Sequence, residues 1–267
     1  MSTRAIHVDE FEHGGARLVD EVLGTSAAPH IVFLHGWGGS RESLRGVGVL
    51  FEHTHRVHLL DLPGFGATPA PPDDWDTAQY ADLVERYILE RLPGVVVLVG
   101  HSFGGRIAVR LAARRLPQVQ RVVLMAVPGL PVPGSSWPRL KRRGIRSLRS
   151  ILRAVRPVTG PAALDWHTRT FGSKDYLAAG ALRPVFVRVV NEDLTEHARA
   201  IDCPVLLLWG ADDREASPAV GSEYVRILGR RAALHVFPHK DHHLYTGTGA
   251  HLCAFKIRSW LAADAGS

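Results

Sequence analysis

Short aliphatic and β-branched runs recur six times along the chain, at Ile31–Leu34, Val57–Leu60, Val95–Val99, Val122–Met125, Val205–Trp209 and Ala233–Phe237. Each has the length of a strand. Helical spacing fills most of the intervals, over Ala78–Leu92, Arg106–Leu116 and Ala219–Leu228, and a last helical stretch, Ala250–Leu261, closes the chain. Strands alternating with helices predict an α/β fold, with a mostly parallel central sheet and helices on both faces. In such a sheet ligands bind beyond the C-terminal ends of the strands, so the residues just after each run are where chemistry is to be sought. Between about Gly129 and Arg199 the alternation stops and proline, glycine and arginine become frequent, which reads as an inserted helical segment. A single domain of 267 residues is expected, with 1–128 and 200–267 as its core and 129–199 as a helical cap or lid.

Val95–Val99 leads straight into Gly100-His101-Ser102-Phe103-Gly104-Gly105, and a helical pattern follows from Arg106. A strand, a sharp turn and a helix in immediate succession strain the backbone at the serine and lift its hydroxyl above the sheet, which needs small residues on either side. With 26 glycines in the chain the pattern alone is weak, and its placement between strand and helix gives it weight. The bland alternative is a serine that caps the helix. A serine hydroxyl is a poor nucleophile near neutral pH, so it needs a base to take its proton and a third group to orient that base. Two later runs end in suitable residues: Val205–Trp209 enters Gly210-Ala211-Asp212-Asp213-Arg214, and Ala233–Phe237 enters Pro238-His239-Lys240-Asp241-His242-His243. Charge developing on a substrate carbonyl oxygen also requires preorganised donors. The glycine-rich loop His35-Gly36-Trp37-Gly38-Gly39 follows an early strand, so the N–H of Trp37 is one candidate and the N–H of Phe103 the other.

These stretches together resemble the α/β-hydrolase superfamily over nearly the whole chain. His35-Gly36-Trp37-Gly38 is similar to its oxyanion loop, Asp61-Leu62-Pro63-Gly64-Phe65-Gly66 to the loop after its next strand, and Gly100–Gly105 to its nucleophile elbow. Trp209–Arg214 is similar to its acid loop. The resemblance implies the order serine, acid, histidine, a helical cap inserted after the sixth strand, and a bacterial serine hydrolase needing no cofactor or metal. It implies Ser102 as nucleophile, and Asp213 rather than Asp212 as the acid, because Asp213 lies three residues past Gly210 beside Arg214. His242 is the preferred base, with His243 next. The family's histidine commonly follows a glycine, whereas Asp241 stands there in this chain. Gly172–Tyr176 and Val189–Leu194 also resemble the cap of a group of bacterial hydrolases. The reaction expected is hydrolysis of a carboxylic ester through an acyl-serine. Cleavage of a carbon–carbon bond beside a carbonyl, of a thioester or of a lactone are the alternatives, and a non-catalytic binding protein stands last. A serine at the elbow, in place of aspartate, disfavours the epoxide and haloalkane branches.

Other residues invite functional readings that the pattern does not favour. His35 precedes the glycine loop and suits a structural hydrogen bond. His53, His55 and His58 lack the helical spacing and carboxylate partner of known zinc motifs. Asp61 precedes the serine and sits in a turn-forming Asp-Leu-Pro-Gly sequence.

The net charge of +6 is concentrated, since Trp137–Arg156 holds Arg139, Lys141, Arg142, Arg143, Arg146, Arg149, Arg153 and Arg156 and no acidic residue. Ile145, Leu148, Leu152 and Val155 recur there at helical spacing, which predicts a basic amphipathic helix over the site. Its arginines are expected to be solvated. Recognition of an anionic substrate portion and attachment to a membrane surface are further readings. Nucleic-acid binding is not expected, because no recognised motif accompanies the charge. The two cysteines, Cys203 and Cys253, sit among apolar neighbours and the N-terminus carries no apolar run, so a cytoplasmic protein is expected.

Overall fold

Strand residues of opposite parity feed two separate apolar layers, and those layers fix where the helices lie. In the computed structural model, which describes residues 7–25, 28–132 and 174–263, the strand His30–Leu34 sends Ile31 and Phe33 to one face of the sheet and Val32 and Leu34 to the other. The strand Val96–His101 divides in the same way, with Val97 and Val99 opposed to Val96 and Leu98. A strand buried on both faces is mostly apolar on both, which is why the middles of these strands read as aliphatic runs.

The sheet has eight strands: β1 (His7–His13), β2 (Ala16–Leu23), β3 (His30–Leu34), β4 (Arg56–Asp61), β5 (Val96–His101), β6 (Val119–Met125), β7 (Val205–Gly210) and β8 (Ala232–Phe237). Their order is β1-β2-β4-β3-β5-β6-β7-β8. β2 runs antiparallel to both β1 and β4, and every other neighbouring pair is parallel. Helices α2 (Thr77–Arg91), α3 (Ser102–Ala113) and α7 (Pro218–Leu228) cover one face, while α1 (Arg41–Gly48) and α8 (Gly249–Ala263) cover the other. Local chemistry sets the helix starts. Asp76 caps α2 by accepting from the Ala78 N–H at 2.7 Å while Gln79 reaches back to the Asp76 N–H, and Pro218 opens α7 where a missing N–H costs nothing.

The six expected strands are all present, and β1 with β2 adds an antiparallel hairpin that the pattern did not reveal. The expected insertion leaves the core after β6. Its described part holds three short helices, α4 (Lys174–Ala178), α5 (Arg183–Asn191) and α6 (Thr195–Ala200). Val185, Phe186 and Val189 are its buried residues on α5. The Leu194 N–H donates to the Gly129 carbonyl at 2.9 Å, so the chain departs from and returns to the body at one place. The arginine-rich stretch from 137 to 156 lies outside the described residues, as do Gly172 and Ser173. Among the described residues no helix is long and apolar enough to cross a membrane.

Candidate active site

β3, β5, β7 and β8 point the same way, so the loops that follow them gather at one edge of the sheet. The loop after β5 is compressed to nothing: β5 ends at His101 and α3 begins at Ser102, whose φ is +47°. That left-handed conformation is costly for a residue with a side chain. It is held by close packing around it. A Cβ on Gly104 would lie 2.2 Å from the Leu34 carbonyl oxygen, and one on Gly100 would lie 2.6 Å from the Gly104 carbonyl oxygen, so neither position admits a side chain without backbone movement. The Gly104 N–H donates to the His35 carbonyl at 3.0 Å, which fastens the start of α3 to the loop after β3.

His242, on the loop after β8, has its Nε2 2.9 Å from Ser102 Oγ and its Nδ1 2.9 Å from Asp213 Oδ2. Asp213 is held in turn, its Oδ1 accepting from the N–H groups of Glu215 and Ala216, each at 2.8 Å. The two loops are also joined through the backbone, where the Ala211 N–H donates to the Phe237 carbonyl and the Asp212 N–H to the Lys240 carbonyl, both at 2.9 Å. Burial works against a charge on His242. The hydrogen bond and charge of Asp213, with smaller contributions from Glu215 and Asp175, overcome it and leave the ring's pKa above the ordinary histidine value.

The sequence leaves two aspartates, Asp212 and Asp213, and three histidines, His239, His242 and His243, as candidates, and the geometry separates them. Asp212 is exposed and contributes its backbone, whereas Asp213 is buried against the ring. His239 and His243 are exposed, and among the three histidines only His242 reaches Ser102.

The loop after β3 lies directly against Ser102, since a Cβ on Gly36 would come within 3.5 Å of its Cβ. Trp37 follows at once. Its ring packs edge-on against Phe65, Phe103 and Phe186 at centroid distances of 5.0, 5.4 and 4.9 Å, so an apolar wall from the body and from α5 stands beside the site. The Phe103 amide belongs to the first turn of α3, where backbone N–H groups have no partner within the helix.

His35 is a structural cross-link, as expected. Its Nε2 accepts from the Leu62 N–H at 3.1 Å, so its Nδ1 carries the proton and donates to the Gly36 carbonyl at 2.8 Å. Burial pushes its pKa down to about 4. Asp61 is likewise occupied, accepting from the Arg41 N–H at 2.6 Å, the Arg41 guanidinium at 2.7 Å and the Ala67 N–H at 2.9 Å.

One residue of the site escaped the sequence reading. His101 is fully enclosed, and its Nε2 lies 3.0 Å from the His242 carbonyl oxygen, where only an N–H donor makes a bond. Its ring packs on those of His242 and Tyr245 at 4.9 and 4.8 Å. Its place between a strand and the elbow was visible in the sequence, but nothing there signalled a bond to a loop 141 residues away.

A family model described as "Alpha/beta hydrolase family" matches residues 31–250. Two curated relatives are both pimeloyl-[acyl-carrier protein] methyl ester esterases. The one from Chromobacterium violaceum is 30% identical over 83% of this chain and 89% of its own length, and the one from Nitrosomonas europaea is 28% identical over 82% and 90%. Among solved structures, a membrane phospholipase A described as a bacterial virulence factor superposes with a TM-score of 0.77 at 22% identity, covering 98% of this chain and 87% of that one. The enol-lactonase of Burkholderia xenovorans superposes with a TM-score of 0.71 at 22% identity, covering 95% and 100%. At such identities the two structures speak for the fold.

Proposed function

The chain belongs to the alpha/beta hydrolase family, and from that premise we propose that it hydrolyses a carboxylic ester through an acyl-serine intermediate on Ser102. The observation that carries this reading is the unbroken hydrogen-bonded chain from Asp213 through His242 to Ser102, with both links at 2.9 Å, at a nucleophile lifted onto a left-handed turn. In the first half-reaction His242 Nε2 takes the Ser102 proton while Oγ adds to the acyl carbon. The resulting oxyanion is met by the N–H groups of Trp37 and Phe103. His242 then hands its proton to the departing alkoxide, which leaves as the alcohol. In the second half-reaction His242 deprotonates a water that adds to the acyl carbon, and the proton returns to Ser102 as the carboxylic acid is released. Asp213 holds the imidazole in the tautomer that can accept at Nε2 and stabilises the imidazolium. None of these steps calls on a metal or an organic cofactor.

The curated relatives favour an ester over the carbon–carbon alternative, because both act on a methyl ester and are matched over about nine-tenths of their length. The apolar wall of Trp37, Phe103 and Phe186 suits an acyl chain. The arginine-rich stretch from 137 to 156 suits an anionic far end, whether a carboxylate or an acidic carrier protein. We place the enzyme in a reducing compartment such as the cytoplasm, a reading supported by two unpaired cysteines, Cys203 and Cys253.

Two measurements test the reading. A fluorophosphonate probe should label Ser102 in the native protein, lose that labelling in His242→Ala and keep most of it in His243→Ala. Methyl esters of mono- and dicarboxylic acids should be hydrolysed, whereas a vinylogous diketone should not. Labelling that survives His242→Ala and vanishes in His243→Ala would move the base, and turnover of the diketone alone would replace the ester reading.

A further inference from the structure

At the opposite edge of the sheet, where β3 and β4 begin, a second histidine–aspartate pair is buried beside a cavity of about 340 Å³. His58 Nδ1 lies 2.8 Å from Asp20 Oδ2 and its Nε2 lies 2.9 Å from His30 Nδ1, so both of its ring nitrogens are engaged. The Tyr87 hydroxyl donates to the same carboxylate oxygen. The other oxygen, Asp20 Oδ1, has no partner, although Asp20 is only 2% exposed. A buried carboxylate oxygen without a donor is expensive, and its place on the cavity wall says what the cavity lacks: an N–H or O–H group, best a cationic one. A second carboxylate adds to this, because Asp9, whose Oδ1 lies 3.0 Å from His7 Nε2, stands directly opposite Asp20 in the β1–β2 register and lines the same space. Side chains so placed are about 5 Å apart at Cβ.

Glu10 also lines the space but is paired with Arg17 at 3.2 Å, and two arginines there carry the opposite sign. The Arg56 side chain is half-buried and makes no ion pair or hydrogen bond among the described residues. Arg91 rests over the Phe11 ring at 5.8 Å and has no carboxylate partner there. Asp9 and Asp20, beside the Arg17-bound Glu10, and two unpaired guanidinium groups around one cavity match a ligand that carries both charges. A bare cation would face the arginines and a bare anion the aspartates. No group of three or more His, Cys, Asp or Glu among the described residues is arranged to hold a metal ion. The rest of the wall, including Phe11, Val22 and Leu92, is apolar.

We propose that this cavity is a binding site for a free α-amino acid with an apolar side chain, its ammonium group on Asp20 and Asp9 and its carboxylate on Arg56 and Arg91. The site is separate from the hydrolytic one. β3 starts at it and ends at the His35 loop, a separation of about 15 Å along the strand.

Calorimetric titration of the whole protein with L-phenylalanine and L-leucine tests the proposal, with L-phenylalaninamide and N-acetyl-L-phenylalanine as controls that lack one charge each. Saturable binding of at least one amino acid is expected, with each control at least tenfold weaker than L-phenylalanine. Ser102→Ala should bind unchanged, which separates this cavity from the acyl site. Asp20→Asn should abolish binding, but Asp20 also supports His58 and Tyr87, so the decisive variant is Arg56→Gln, whose side chain holds nothing in place. It should weaken the amino acid at least tenfold and leave the amide unaffected. A cavity that merely holds water would give no saturable heat with either amino acid, and that result overturns the proposal. Equal binding of the amino acid and both controls, or an unchanged affinity in Arg56→Gln, overturns it as well.

Discussion

Among the described residues two buried histidine–aspartate pairs stand at opposite edges of one sheet, and they are almost the same bond. His242 Nδ1 lies 2.9 Å from Asp213 and His58 Nδ1 lies 2.8 Å from Asp20. What differs is the other ring nitrogen. In His242 it faces the hydroxyl of Ser102, held on a left-handed turn, whereas in His58 it faces a second imidazole, His30, and no nucleophile. An aspartate orienting a histidine is therefore no signature of chemistry by itself. In the proposed mechanism the strained turn at Ser102 and the amides beside it turn an orienting bond into a proton relay, and in α/β sheets those features arise at the C-terminal ends of the strands.

The sharpest way to break this comparison is to remove each supporting group and ask which loss is kinetic. Asp213→Ala should lower kcat by about 10⁴-fold, the usual cost of losing the orienting carboxylate, while Asp212→Ala should stay within a few-fold of the native enzyme. Equal losses in steady-state ester hydrolysis would mean that the acid has been misassigned. The same carboxylate holds the His242 pKa above the ordinary value of 6.5, and the reaction needs the neutral ring. The acidic limb of kcat/KM should therefore lie above pH 6.5 in the native enzyme and move to lower pH in Asp213→Asn. A limb that stays put would detach it from His242.

A smaller effect is expected at His101, a positioning residue that grips the backbone of the base. His101→Leu removes one hydrogen bond, about 1 kcal/mol, so kcat should fall roughly fivefold at unchanged KM, with His101→Gln restoring most of it through its N–H donor. A leucine variant that loses thermal stability but keeps kcat would leave His101 a packing residue. The smallest kinetic effect belongs to the other edge of the sheet. Tyr87→Phe deletes a buried donor to Asp20 and should destabilise the fold by about 1–3 kcal/mol in urea unfolding, with kcat unaltered. A drop in kcat there would show that the two edges are coupled.

Much of the catalytic edge was legible because its requirements are local. A strand, a glycine-rich elbow and a helix are adjacent in the chain, and the central parallel strands, buried on both faces, read as largely aliphatic runs. What escaped depends on contacts remote in sequence. β1 is an edge strand in which only Phe11 is fully buried, so it shows no alternation to detect. β2 is almost wholly buried yet carries Asp20 and Glu21, which break the apolar run and are tolerated because His58 and Arg45 meet them. The start of α3 was read at Arg106 rather than Ser102 because Gly104 and Gly105, poor helix formers, occupy its first turn where close packing demands them. The choice of His242 over His243 turned on which side of the loop faces the elbow, which one sequence does not specify.

The His35 cross-link bears on the acid tolerance of the whole fold. Its imidazole is neutral in the native state down to about pH 4 because burial resists the proton, whereas the unfolded chain takes that proton near pH 6.5. Above 6.5 both states are neutral and His35 leaves stability independent of pH. Below it the unfolded state binds the extra proton, so the native state loses ground until pH 4, by about 3 kcal/mol in all. His30 and His101, also driven below the ordinary value chiefly by burial, act in the same direction, while His242 with its raised pKa opposes them. His55, His197 and His235 are lowered as well, chiefly by burial, and six imidazoles against one leave the folded form with fewer bound protons than the unfolded chain in mild acid. Urea midpoints measured between pH 7 and pH 5 should accordingly fall with pH, and His35→Gln should flatten that fall even though it costs stability at pH 7.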